Sequence, residues 1–291
     1  MALPSWVRAL LRGPGPELPL GWGNATWPEA SPFGTPFVRP HPDGRAAIRV
    51  AARGRQEAFG IWEVPSGKLL QFSPEVADAR WTPDGRWLVT ASIGEEVRLA
   101  VRAWPSREVH RDVALPFSTS RGVGGLELVL SPSGALGAAW IYSGQSEEGW
   151  VLFSLPDAAP LSTLPYLLGE GASPCLFSPD ERHLAMVVEP APYWWAGDEP
   201  DADEETPAKG GPVQWAALHV QETREGGVRR EFPIMVDLPR GWVPPEGMED
   251  ATWPRQVRFE GDGHLVLEAP WGGEARITFP PTGPWHAPPP P

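Results

Sequence analysis

The sequence predicts an all-β protein, and three observations predict it. The chain has 38 prolines and 32 glycines among 291 residues, close to one position in four. Both residue types disfavour helix interiors, which rules out a mostly helical chain. Hydrophobic residues still make up 41% and aromatics 10%, including 16 tryptophans. That is enough apolar surface for a large core rather than a disordered polymer. Third, one turn recurs: His41-Pro42-Asp43-Gly44, Thr82-Pro83-Asp84-Gly85, Ser131-Pro132-Ser133-Gly134, Ser178-Pro179-Asp180-Glu181 and, more loosely, Glu260-Gly261-Asp262-Gly263.

Each occurrence reads as a hairpin tip. Proline at the second position presets the backbone for a type I turn, Asp is tolerated at the third, and Gly at the fourth accepts the left-handed conformation that returns the chain antiparallel. A large apolar residue often stands just before the turn (Trp81, Leu130, Phe177, Phe259), and an apolar strand follows it at 87–91, 136–142, 184–188 and 265–267. A third strand is clearest at 97–104, where Val97, Leu99, Val101 and Ala103 alternate with Arg98, Ala100 and Arg102. A shorter fourth strand leads to the next unit, as at 68–72 and 109–115.

The fourth-position residues are 41 apart from 44 to 85, 49 from 85 to 134, 47 from 134 to 181 and 82 from 181 to 263. The first three intervals suit a four-stranded propeller blade. In the long interval, a low-complexity insertion over 189–212 leaves strands at 213–222 and 229–235, followed by a Pro-rich linker at 236–245. Five four-stranded blades is the simplest count. Phe177-Ser178-Pro179-Asp180 and Trp81-Thr82-Pro83-Asp84-Gly85 resemble the aromatic-Ser-Pro-Asp-Gly turn of WD40-like, TolB-type propeller repeats, over roughly residues 37–279. The Gly-His pair and terminal Trp-Asp of true WD40 repeats are replaced, with Trp62-Glu63 and Trp104-Pro105 standing where that dipeptide belongs. The resemblance implies a propeller and nothing about a ligand.

The last unit supplies strands at 255–259, 264–268 and 274–279 and then dissolves into a tail at 280–291. Its missing fourth strand is expected from residues 20–27, which would close the ring and remove an exposed edge. The expected organisation is an N-terminal segment at 1–19, the propeller at 20–280 and a Pro-rich tail at 281–291. Leu3, Trp6, Val7, Leu10 and Leu11 make an amphipathic helix ahead of Gly13-Pro14, read as docking on the domain's own surface or on a partner or lipid surface. The closing prolines, 288–291, suit an extended polyproline helix or a frayed end.

Lys plus Arg is 24 against 37 for Asp plus Glu, a formal charge of -13 with a pI near 4.9. That field has the wrong sign for direct nucleic-acid binding and suits a basic protein partner. Arg229-Arg230 reads as a solvated hairpin tip, and Cys175, the only cysteine, as a small buried hydrophobe. No stretch reaches membrane-span length, and the N-terminus lacks an export signal's apolar region, so a cytoplasmic protein is expected. Lys68 and Lys209 are the only lysines and Asn24 the only asparagine, a bias that points to G+C-rich coding and a bacterial source.

Reaction chemistry is harder to find. Gly144-Gln145-Ser146-Glu147 breaks the Gly-x-Ser-x-Gly elbow, and no phosphate-cradling or dinucleotide fingerprint occurs, so no catalytic motif and no cofactor are expected. His41, His183 and His264 lie in or beside turns of different blades, read as solvated rather than metal-binding. A propeller glycosidase would bring carboxylates together on the inner strands, and Asp78 and Glu127 are the candidates for that. Turn aspartates Asp43, Asp84, Asp180 and Asp262 are explained by turn geometry.

The insertion carries Pro190-Ala191-Pro192-Tyr193-Trp194-Trp195 followed by Asp198, Glu199, Asp201, Asp203, Glu204 and Glu205. Either Tyr193, Trp194 and Trp195 are partner anchors toward which the acids steer a basic protein, or the aromatics fold over a blade edge and the acids are a solvated loop. A calcium loop would want a Gly and a spaced Glu that are missing. The expected function is a non-catalytic protein-binding propeller, a scaffold or subunit of a larger bacterial complex. The alternative is a glycosidase-like hydrolase using carboxylates in the channel.

Overall fold

The computed structural model describes residues 38–53, 56–64, 66–117, 125–142, 148–166, 175–188, 211–239, 256–261, 263–269, 273–287 and 289. These form strands and turns, with no helix among the described residues. The N-terminal amphipathic segment, residues 20–27 and most of the insertion, including all nine of its named aromatic and acidic residues, lie outside them. The chain divides into two compact units, Met1–Pro165 and Tyr166–Pro291.

The first unit holds three four-stranded sheets whose strands follow chain order. They are β1 (Val38–Pro40), β2 (Ala46–Arg53), β3 (Gln56–Glu63) and β4 (Lys68–Ser73); β5 (Val76–Trp81), β6 (Trp87–Ile93), β7 (Val97–Ala103) and β8 (Val109–Ala114); and β9 (Gly125–Leu130), β10 (Leu136–Tyr142), β11 (Glu148–Ser154) and β12 (Pro160–Tyr166). Period-2 alternation does what was expected of it in β7, where Val97, Leu99 and Val101 are fully buried and Arg98 faces water. Those three residues join Val89, Leu128, Ile141, Val151 and Phe153 in one core that spans the second and third sheets. The outermost strand β8 is exposed at five of its six positions.

The recurrent turn is closed by one backbone bond each time. Gly44, Gly85, Gly134 and Glu181 donate their N–H to the carbonyls of His41, Thr82, Ser131 and Ser178, at 2.8 to 2.9 Å. All four donors have positive φ, Glu181 included at 59°. The Asp43, Asp84 and Asp180 carboxylates accept from the backbone N–H two residues on, as turn geometry requires. In the first unit successive turns also stack. A Cβ on Gly85 would lie 2.6 Å from His41 Nε2, and one on Gly134 2.8 Å from Pro83 Cδ, so each glycine admits the preceding turn.

A second repeat, not picked out in the sequence reading, sits where the third strand of each repeat turns into its fourth, beside the first turn. Val64, Trp104, Leu155, Thr223 and Phe279 donate their backbone N–H to the carbonyls of Arg45, Arg86, Ala135, Arg182 and Gly263, in each case the residue just before a second strand. In sequence the signal is an apolar residue followed by proline at 64–65, 104–105, 155–156 and 279–280. Only the fourth repeat, Thr223-Arg224, departs from it.

The second unit comprises β13 (Leu176–Phe177), β14 (His183–Val188), β15 (Gly211–Glu222), β16 (Arg229–Leu238), β17 (Gln256–Glu260), β18 (His264–Glu268), β19 (Glu274–Thr278) and β20 (Trp285–Ala287). β17, β18 and β19 form a three-stranded sheet, and β13 to β16 form a sheet that β20 extends to five strands. The core unites Val187, Leu218, Ile234 and Val236 with Leu265 and Ile277. Two expectations change here. β16 continues to Leu238, into the stretch read as linker, and the tail forms β20, which pairs in parallel with β16. β20 stands after the x-Pro turn, where the fourth strand of the last repeat belongs. It therefore runs in the same sense as β16, the fourth strand of the preceding repeat. Its three residues among prolines leave no periodic signal in the sequence.

Candidate functional site

Strand alternation places Asp78 and Arg80, two apart on β5, on one face. A bulge between Val76 and Asp78 breaks the register just before them and helps aim the pair. The Asp78 carboxylate is almost fully buried, accepts three hydrogen bonds and faces a second guanidinium. Its Oδ1 accepts from Arg39 Nη1 on β1 and from the Ala79 N–H at 2.8 Å. Its Oδ2 accepts from the Leu128 N–H on β9 at 2.6 Å and faces Arg80 Nε at 3.4 Å. One carboxylate thus ties together the first strands of all three sheets of the first unit.

Glu127 adjoins the same cluster, with Arg80 Nη2 3.4 Å from its Oε1. Arg39 also donates to the Ala79 carbonyl, lies over the Phe59 ring at 5.8 Å, and has its own carbonyl capped by Trp81 Nε1–H at 3.2 Å. Burial draws the Arg39 guanidinium below its ordinary pKa, and the Asp78 charge opposes that shift. Sequence reasoning nominated Asp78 and Glu127 and missed both arginines. The Asp78-Ala79-Arg80 spacing held the signal for Arg80; nothing local marked Arg39.

This arrangement can bind the sheets together but is poorly suited to proton transfer. A general base needs a free lone pair within reach of a substrate proton, and the buried Asp78 carboxylate is already engaged by two backbone N–H groups and a guanidinium. Cys175 is buried, as its reading as a small hydrophobe requires. Among the described residues no cluster of three His, Cys, Asp or Glu side chains is disposed to hold a metal ion, and no helix is long and apolar enough to cross a membrane.

Two basic side chains differ from their sequence reading. His41 is buried rather than solvated. It lies 4.9 Å from the Trp81 ring and 5.6 Å from Trp104, and its Nε2 donates to the Gly85 carbonyl at 2.8 Å. The turn places it against the next sheet, which local sequence does not reveal. Arg229 is engaged instead of forming a solvated tip, donating from Nη2 to His219 Nδ1 at 2.6 Å. Desolvation and the Arg229 charge push the His219 pKa down to about 4.

No family model and no curated protein matches the chain. Solved structures do. A prolyl endopeptidase structure matches at 14% identity with a TM-score of 0.50, covering 89% of this chain and 35% of that one. The WD40 repeats of RRP9 match at 12% identity and TM-score 0.44, covering 85% of this chain and 61% of that one. The β-propeller domain of Myceliophteria thermophila Cps50 (Swd1) matches at 13% and 0.44, covering 89% and 69%. Likeness at such identities speaks to the fold alone. With the successive antiparallel sheets and their repeated turns, the fold is of the β-propeller class.

Proposed function

We propose that this chain is a protein-binding platform, a subunit or scaffold of a bacterial cytoplasmic complex, and that its partner is basic. The carrying observation is the engagement of Asp78 by three hydrogen bonds from three different sheets' first strands. The two nominated carboxylates share one cluster with Arg39 and Arg80, and that cluster staples three sheets into a rigid support. The formal charge of -13 supplies a field that attracts a basic surface, and Tyr193, Trp194 and Trp195 beside six carboxylates supply anchors within it.

The test is affinity capture from native extract by the full chain, repeated with residues 190–208 deleted. The reading expects one basic partner, identified by mass, retained by the full chain and lost with the deletion. Capture of nothing by either form, or equal capture by both, sinks it. The hydrolase reading gains one observation, that Asp78 and Glu127 flank a common arginine. It requires turnover of a glycoside that Glu127→Gln abolishes while leaving the fold intact.

A further inference from the structure

The outer edges of the sheets are protected in different ways. At β4, Arg107 from the next sheet donates to the Leu70 carbonyl at 2.8 Å. β8 presents His110, Arg111 and Asp112 to water, and β12 carries Pro160 and Pro165. Charges and prolines of this kind discourage a further strand from pairing. β16 carries Pro233 and the exposed Asp237 as well, yet between them Ile234 and Val236 are fully buried and the edge accepts β20.

The covering strand is weakly held. Only Trp285, His286 and Ala287 pair, opposite Ile234, Met235 and Val236, in a parallel register. Ala287 is buried and Trp285 packs against the core, but His286 is exposed. Pro280, Pro281 and Pro284 before the strand and Pro288 after it have no N–H with which to lengthen the ladder. By contrast, β15 and β16 pair over ten residues.

We infer that the β16 edge is an exchangeable strand-binding site, occupied in cis by the chain's own segment 285–287, and that its external ligand is an extended segment of a partner protein with the same chemistry. That segment has an aromatic residue, a polar residue and a small apolar residue in succession, with prolines on both sides. Main-chain pairing to β16 supplies affinity, and the sites under Trp285 and Ala287 supply selectivity. This inference neither uses nor requires the acidic insertion.

The probe is a fluorophore-labelled peptide of sequence 282–291, titrated by anisotropy against the full chain and against full-length Trp285→Ala and His286→Pro. The first variant loses the aromatic anchor; the second disrupts strand pairing at an exposed position and leaves both apolar anchors in place. Both variants bind the peptide, and the unaltered chain binds it at least about tenfold more weakly, because its own segment competes at high effective concentration. Hydrogen exchange at residues 234–236 rises in both variants and falls again with peptide. A peptide carrying Ala in place of its Trp does not bind. Equal affinity across the three proteins, no binding to either variant, or unfolding of both variants overturns the inference. So does a concentration-dependent dimer of the unaltered chain that both substitutions abolish, which assigns the edge to a second copy.

Discussion

Replacing the buried Asp78 by Ala takes a carboxylate from the Arg39 and Arg80 guanidiniums and an acceptor from the Leu128 N–H, so Asp78→Ala costs about 3 to 5 kcal/mol, the usual penalty for breaking a buried ion pair on one side. Denaturant unfolding measures it, and a midpoint unchanged from the parent contradicts the staple role. His219 gives a pH test. Its folded pKa of about 4 lies below the ordinary 6.5, so in that window the unfolded chain binds a proton that the fold refuses. Stability is therefore intact above pH 6.5 and falls as pH drops toward 4, by roughly 3 kcal/mol in full. His219→Gln removes this increment, so the difference in unfolding free energy between parent and variant shifts by that amount between pH 7 and 4; a constant difference refutes it. At this scale the sequence was readable where chemistry is local. Asp43, Asp84 and Asp180 behave as turn residues because their partners are two residues away. His41 and Arg39 were not readable, because their partners lie 39 to 44 residues along the chain.

Turns separate local from relayed information. Gly44 and Gly85 share a left-handed backbone, with φ 73° and 70°, but a Cβ meets nothing within 4 Å at Gly44 and His41 at Gly85. Gly44→Ala should cost about 1 to 2 kcal/mol, the left-handed penalty alone. Gly85→Ala should add about 1 to 3 kcal/mol for displacing a buried ring. Equal unfolding midpoints for the two variants disprove turn stacking. The first repeat was legible because Pro-Asp-Gly has few other uses. The second was obscured by its variability: the shared element is a backbone bond such as Trp104 to Arg86, which constrains conformation more than residue identity. β20 was illegible because three residues between prolines show no periodicity, and only pairing with the edge of β16 makes a strand of them.

At the scale of the whole molecule, charge is the property that acts at a distance. With a formal charge of -13, association with a basic partner is fastest at low ionic strength. Raising salt from about 0.05 to 0.5 M should lower the association rate tenfold or more while changing dissociation little, as stopped-flow kinetics can measure. An association rate indifferent to salt removes electrostatic steering from the proposed function. The sequence by itself determined the all-β class, the repeated turn, the order of strands within the sheets and the sign of the field. Each of these depends on composition or on contacts between near neighbours in the chain. Tertiary structure alone decided that Asp78 joins three strands, that His41 is enclosed, and that the C-terminal residues cover β16. These outcomes depend on which distant surfaces meet, and no short stretch of chain carries that information.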